Sequence, residues 1–110
     1  MNIVDLLSQR SFSGEKMQKI PLFASDKMFC DQYCLLPGQS QKIHSHAKED
    51  KVYIVLEGEV ICHIDGEEAL LSEGQATIAY AHSPHGVRND SLQKSVLLVV
   101  MAPKPEAKTL

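Results

Sequence analysis

The chain carries little cysteine, no long apolar run and no surplus of positive charge, and each absence closes off a class of protein. Three cysteines in 110 residues are odd in number and too few for a disulfide-stapled secreted scaffold. Cys30 and Cys34 fall in one expected strand, where their Cα atoms would stand ~13 Å apart, beyond the about 7 Å that a disulfide spans. Both read as buried free thiols, as does Cys62, which is also placed to line a pocket. No stretch approaches the ~20 apolar residues of a membrane span. The opening run Met1 to Leu7 is short, is interrupted by Asp5 and has no basic region before it, so it does not read as a signal peptide. A cytoplasmic protein with no membrane partner is expected. Lys and Arg number 11 against 14 Asp and Glu, for a net charge of −3, without the clustered basic residues of a nucleic-acid footprint. Neither a glycine-rich phosphate loop nor a Ser-His-Asp or Cys-His motif is present.

What is present reads as one all-β domain. Short β-prone runs are separated by turn residues from residue 16 onward: Met28 to Leu36, Lys42 to His46, Lys51 to Leu56, Glu59 to Ile64, Glu67 to Leu71, Gln75 to Tyr80, His85 to Arg88 and Lys94 to Met101. Asp65-Gly66, between two such runs, predicts a two-residue hairpin with positive φ at both positions. This regular spacing predicts a sandwich or barrel over residues 28–102. Residues 1–27 are expected to form an arm with an edge strand and a short helix over 3–8 capped by Asn2, and 103–110 a flexible tail. Two runs, Val52 to Leu56 and Val96 to Met101, are apolar without alternation, which predicts burial on both faces. The outer face must be covered by the N-terminal segment or by a second copy, and a homodimer is expected.

Histidine is the compositional oddity: all five lie between residues 44 and 85. His44 and His46 are two apart on an expected strand, so both side chains share a face with Cα atoms roughly 6.7 Å apart. Two imidazoles at that separation can converge on one ion at about 2.0–2.1 Å. A solvated polar strand has the same pattern. His85, after Ser83-Pro84, reads by itself as a turn histidine.

The wider spacing resembles the cupin family. Gly38, five residues, His44-Ser45-His46, four residues, Lys51, six residues and Gly58 follow its first motif, G-x5-H-x-H-x3,4-E-x6-G. Gly74, His85 and Asn89 follow its second, G-x5-P-x-G-x2-H-x3-N, with fifteen residues between Gly58 and Gly74 as in compact bacterial members. The resemblance covers residues 28–101. It implies a cupin β-barrel of jelly-roll type with one divalent transition metal inside (Fe, Zn, Ni or Mn), held by His44, His46 and His85.

The sequence departs from this pattern at the family's glutamate ligand, where Lys51 stands. An ammonium has no lone pair for a cation, and at ~5 Å from a dication it would be repelled by roughly 6–7 kcal/mol at an effective ε of about 20. Three outcomes follow: an open three-histidine site, a carboxylate from Asp50 or Glu49 brought in by a bulge, or loss of the metal. Lys51 is also a candidate contact for an anionic substrate. The P-x-G positions hold Tyr80, Ala81 and His82. Tyr80 is a candidate catalytic phenol beside Lys51, while His82 and His63 read as exposed or interface residues. Tyr53, Val55 and Cys62 are expected to line the pocket, which fits a small, partly apolar ligand. Within the family, three-histidine iron sites resemble those of dioxygenases, and the fold also hosts isomerases and binding proteins, so an enzyme on a small organic molecule and a non-catalytic sensor both stand.

Overall fold

Nine strands in a computed structural model, which describes residues 1–105, form two antiparallel sheets. They are β1 (Gln18–Ala24), β2 (Phe29–Leu35), β3 (Ser40–His44), β4 (Asp50–Glu57), β5 (Glu59–Ile64), β6 (Glu67–Ser72), β7 (Ala76–Ala79), β8 (His85–Arg88) and β9 (Ser95–Ala102). One sheet runs β1-β2-β9-β4-β7 and the other β3-β8-β5-β6. The expected all-β architecture is present, and among the described residues no helix is long and apolar enough to cross a membrane. The tail expected over 103–110 lies outside the described residues from 106 onward.

The chain crosses between sheets at Glu57-Gly58-Glu59. A register shift near the end of β4 turns the strand out of its ladder with β9. Gly58 takes φ +74°, and a Cβ there would stand 2.4 Å from the Lys94 carbonyl oxygen. Only a residue without a side chain fits this corner. The Asp65-Gly66 hairpin forms with φ of 53° and 81°, as a two-residue turn of this type requires. Pro21 is accommodated because β1 is an edge strand, and the ladder with β2 shifts register beside it.

The core lies between the sheets. Tyr33 and Leu35 of β2, Tyr53 and Val55 of β4, and Leu97 and Val99 of β9 meet Val60, Cys62, Leu71 and Val87 from the other sheet. Strand alternation sets the opposite row outward. On β2 that row, Gln32 and Cys34, is also fully buried, because the N-terminal arm lies over it: the Gln32 side-chain amide donates to the Leu6 carbonyl at 2.9 Å. On β4 and β9 the outer row Val52, Ile54, Leu98 and Val100 is only half-buried. The continuous apolar runs therefore combine a fully buried inner row with a partly covered outer one.

Two expectations are corrected. The short helical element expected over 3–8 is a single turn over 6–9, closed by Gln9 N–H to the Asp5 carbonyl at 3.3 Å, and its cap is not Asn2 but Asp5, whose Oδ1 accepts from Leu7 N–H at 3.1 Å. One turn fixes several dihedrals for one hydrogen bond and gains nothing from propagation, so packing of the arm on β2 decides its shape. The strand expected over 42–46 runs instead over Ser40–His44, which leaves His46 in the following loop.

Candidate metal centre

His44 ends β3 and faces His85 at the start of β8 as a cross-strand pair. His46 reaches the same place from the loop, and the turn carrying His85 is tied to that loop by the His82 N–H, which donates to the His46 carbonyl at 2.6 Å. The ring centroids lie 4.8 Å apart for His44–His46, 4.4 Å for His44–His85 and 5.3 Å for His46–His85. One nitrogen of each ring lies within 4.8 Å of the others. Neighbouring ligands on an ion at about 2.0–2.1 Å stand roughly 2.9–3.4 Å apart, so the rings would draw together around one.

Two of the rings are oriented from behind. The Nδ1 of His44 lies 2.7 Å from the Lys42 carbonyl oxygen, and that of His85 lies 2.8 Å from the Ser83 carbonyl oxygen. A carbonyl only accepts, so each Nδ1 carries the proton and each Nε2 presents a lone pair inward. The Nε2 atoms of His46 and His85 are buried without a hydrogen-bond partner among the described residues. Burial holds all three imidazoles below their usual range, His85 down to about 4, with the nearby Lys51 charge adding to the effect. Neutral, unpartnered imidazole nitrogens at a common point are the donor set of a transition metal.

Parity conceals how this site is built. Gln41 and His44 are three apart, so a regular strand would turn them to opposite faces. The β3–β8 register shifts between them, and this bulge lets both enter the interior. Gly86 on β8 makes room for it: a Cβ there would lie 2.8 Å from the Gln41 carbonyl oxygen and 3.2 Å from Ile43 Cα.

Lys51 is fully buried, 1% exposed, on the inward-facing row of β4. Its Nζ donates to Gln41 Oε1 at 3.2 Å and stands 5.3 Å and 5.1 Å from the ring centres of Tyr33 and Tyr53. Tyr53 also donates to Gln41 Oε1 at 2.9 Å, and Gln41 Nε2 donates to the Tyr33 hydroxyl at 3.1 Å. Desolvation first, then the Lys19 charge, bring the Lys51 ammonium down to about 7. Burial also pushes the Tyr33 phenol up to about 12 and that of Tyr53 above its usual range.

The other candidates lie elsewhere. β4 pairs without interruption at Asp50 and Lys51, so no bulge turns Asp50 inward, and its Oδ1 instead accepts the Ala81 N–H at 2.9 Å. Glu49 accepts the Lys48 N–H at 3.1 Å. Among the described residues only the three histidines form such a cluster. Tyr80 is 63% exposed. His82 is exposed, and His63 lies 3.6 Å from Glu68 on the outer side. Tyr53, Val55 and Cys62 all belong to the packed core; the Tyr53 ring lies 6.2 Å from that of His85, and Cys62 lines a separate cavity with Ile64, Leu71 and Thr77. Gln41 and Tyr33 escaped sequence reasoning because the bulge that turns Gln41 inward leaves no compositional mark.

The cupin domain family matches residues 32–101. A crystal structure from Thermus thermophilus is 53% identical, with a TM-score of 0.93, over 96% of this chain and 100% of that one. An RmlC-like cupin from Desulfovibrio desulfuricans is 27% identical, with a TM-score of 0.83, over 94% of this chain and 97% of that one. An uncharacterized protein of Aquifex aeolicus (strain VF5) is 29% identical over 97% of this chain and 86% of its own length.

Proposed function

The chain belongs to the cupin family, and from that premise we propose that it binds one divalent transition metal ion through Nε2 of His44, His46 and His85 and uses it on a small organic molecule, in the manner of a dioxygenase. The observation that carries this reading is the pair of buried, unpartnered Nε2 atoms on His46 and His85, since a buried polar atom without a partner costs about 1–3 kcal/mol unless something binds it. When bound, an ion with three neutral ligands supplies Lewis acidity and, as iron(II), redox capacity toward oxygen. The carbonyls of Lys42 and Ser83 hold the tautomers that face inward. Lys51, in place of a carboxylate, leaves the ligand set without a fourth protein donor. Burial of Tyr33, Tyr53 and Lys51 keeps bulk water from that side of the site.

A non-catalytic binding or sensor cupin is the second reading. It is favoured by the exposure of Tyr80 and the engagement of Asp50 with Ala81, which leave one candidate proton carrier in solvent and the other already bonded. We place the protein in the cytoplasm, since its three cysteines are free and buried, and as a homodimer through the half-covered row on β4 and β9.

Elemental analysis of protein purified without added metal tests the first reading. Near-stoichiometric iron, lost in His44→Ala and His85→Ala, supports the oxygenase. Absence of metal after anaerobic reconstitution with Fe(II), Zn(II), Ni(II) and Mn(II) overturns the site.

A further inference from the structure

β1 and β3 are the end strands of their two sheets, so the barrel wall parts between them. A cavity of about 660 Å³ opens there, within the range of small-molecule sites. Lys16 and Lys19 line it from the β1 side, Lys42 lines it from β3, and Gln41 and His44 form its inner wall. It therefore leads from solvent to one of the three metal-site histidines.

Its charge runs against that of the whole molecule. The chain has a net charge of −3, yet no acidic side chain lines this cavity. Among the described residues neither Lys16, Lys19 nor Lys42 forms an ion pair. The Lys51 amine lies behind Gln41: Lys19 and Lys51 stand 5.7 Å and 5.3 Å from the centre of the same Tyr33 ring. Asp31 on β2 acts on both through its field but pairs with neither. Gln41 Oε1 is already taken by Lys51 and Tyr53, and its Nε2 donates one proton to Tyr33. A primary amide has two, so one N–H remains for a ligand. Three lysines around a concave opening, against the single carboxylate of Asp31 outside its lining, leave the opening net positive and focus anions into it.

We propose that this cavity admits a small organic anion, its carboxylate or phosphate held by Lys19 and Lys42 in front of Gln41 and His44. The inference rests on the metal-centre reading only in taking His44 as the reactive end of the cavity; the lysines bind the anion without the metal.

Isothermal titration calorimetry tests it on EDTA-treated and metal-reconstituted protein, with sodium succinate, inorganic phosphate and uncharged 1,4-butanediol as probes. At least one anion binds the EDTA-treated wild type one to one and the diol does not; the tighter anion tells carboxylate from phosphate. The double variant Lys19→Gln/Lys42→Gln changes only exposed side chains. It weakens anion binding by about tenfold or more, the loss of charge-assisted contacts, with its melting temperature and metal content unchanged. Lys27→Gln/Lys104→Gln removes the same charge elsewhere and leaves binding unaltered. Equal affinity for the diol, equal loss in both double variants, or no anion binding to the EDTA-treated form overturns the proposal. Metal content is measured separately, so a protein that binds anion but never metal refutes the metal centre and leaves the anion cavity standing.

Discussion

His82 and Lys51 show how single residues carry the departures from the family pattern. His82 occupies the motif's glycine position and takes φ +73°, a left-handed conformation that costs a residue with a Cβ roughly 1–2 kcal/mol. Glycine removes that strain but loses more chain entropy on folding, about 0.5–1 kcal/mol. His82→Gly is thus expected to stabilise the fold by about 0.5–1 kcal/mol, a rise of roughly 3–6 °C in a thermal melt. An unchanged or lower Tm would refute this account of the turn. For Lys51, the folded-state pKa of about 7 lies below the unfolded value of about 10.4. Between those two values the unfolded chain binds the extra proton, so this residue makes stability rise with pH across that window. Below pH 7 the amine is charged in both states and its burial cost is complete. Lys51→Met, nearly isosteric, is expected to stabilise EDTA-treated protein by about 1–4 kcal/mol at pH 6. Urea titrations should show that advantage shrinking toward pH 10; a constant advantage would mean that the ammonium was never destabilising.

Between elements, the decisive junction is β3 against β8. The bulge between Gln41 and His44 and the missing side chain at Gly86 are two halves of one device. Gly86→Ala places a methyl against backbone atoms that have no flexible side chain to yield. It is expected to cost about 1–3 kcal/mol, as overpacking does, and to lower metal uptake along with stability, because β3 carries His44. Unchanged metal content in a destabilised Gly86→Ala protein would separate the bulge from the site.

Across the whole molecule, the unfinished surface is the outer row of β4 and β9. Val52 pairs with Val100 and Ile54 with Leu98 across the ladder, and the N-terminal arm covers β2 instead. A second copy on this row is expected to give a sedimentation mass near twice the 12.2 kDa chain, and Ile54→Lys is expected to return it to the monomer. A wild-type mass of one chain at micromolar concentration would dismiss the homodimer.

Much of the fold was legible because its signals are local. Turn residues such as Asp65-Gly66 fix hairpins through backbone φ, and alternation of Lys51, Tyr53 and Val55 tells which side chains share a face. The three histidines could be picked out by motif spacing. Sequence alone thus determined a cupin barrel and picked out His44, His46 and His85, with Lys51 at the position that the resemblance gives to a glutamate. Only the tertiary structure decided that Asp50 faces away, that Tyr80 stands in solvent, and that Gln41 joins the interior. It also placed three lysines of the β1 and β3 edges around one opening. Those outcomes depend on a bulge and on the meeting of two sheet edges distant in sequence, and neither leaves a periodic signature in the chain itself.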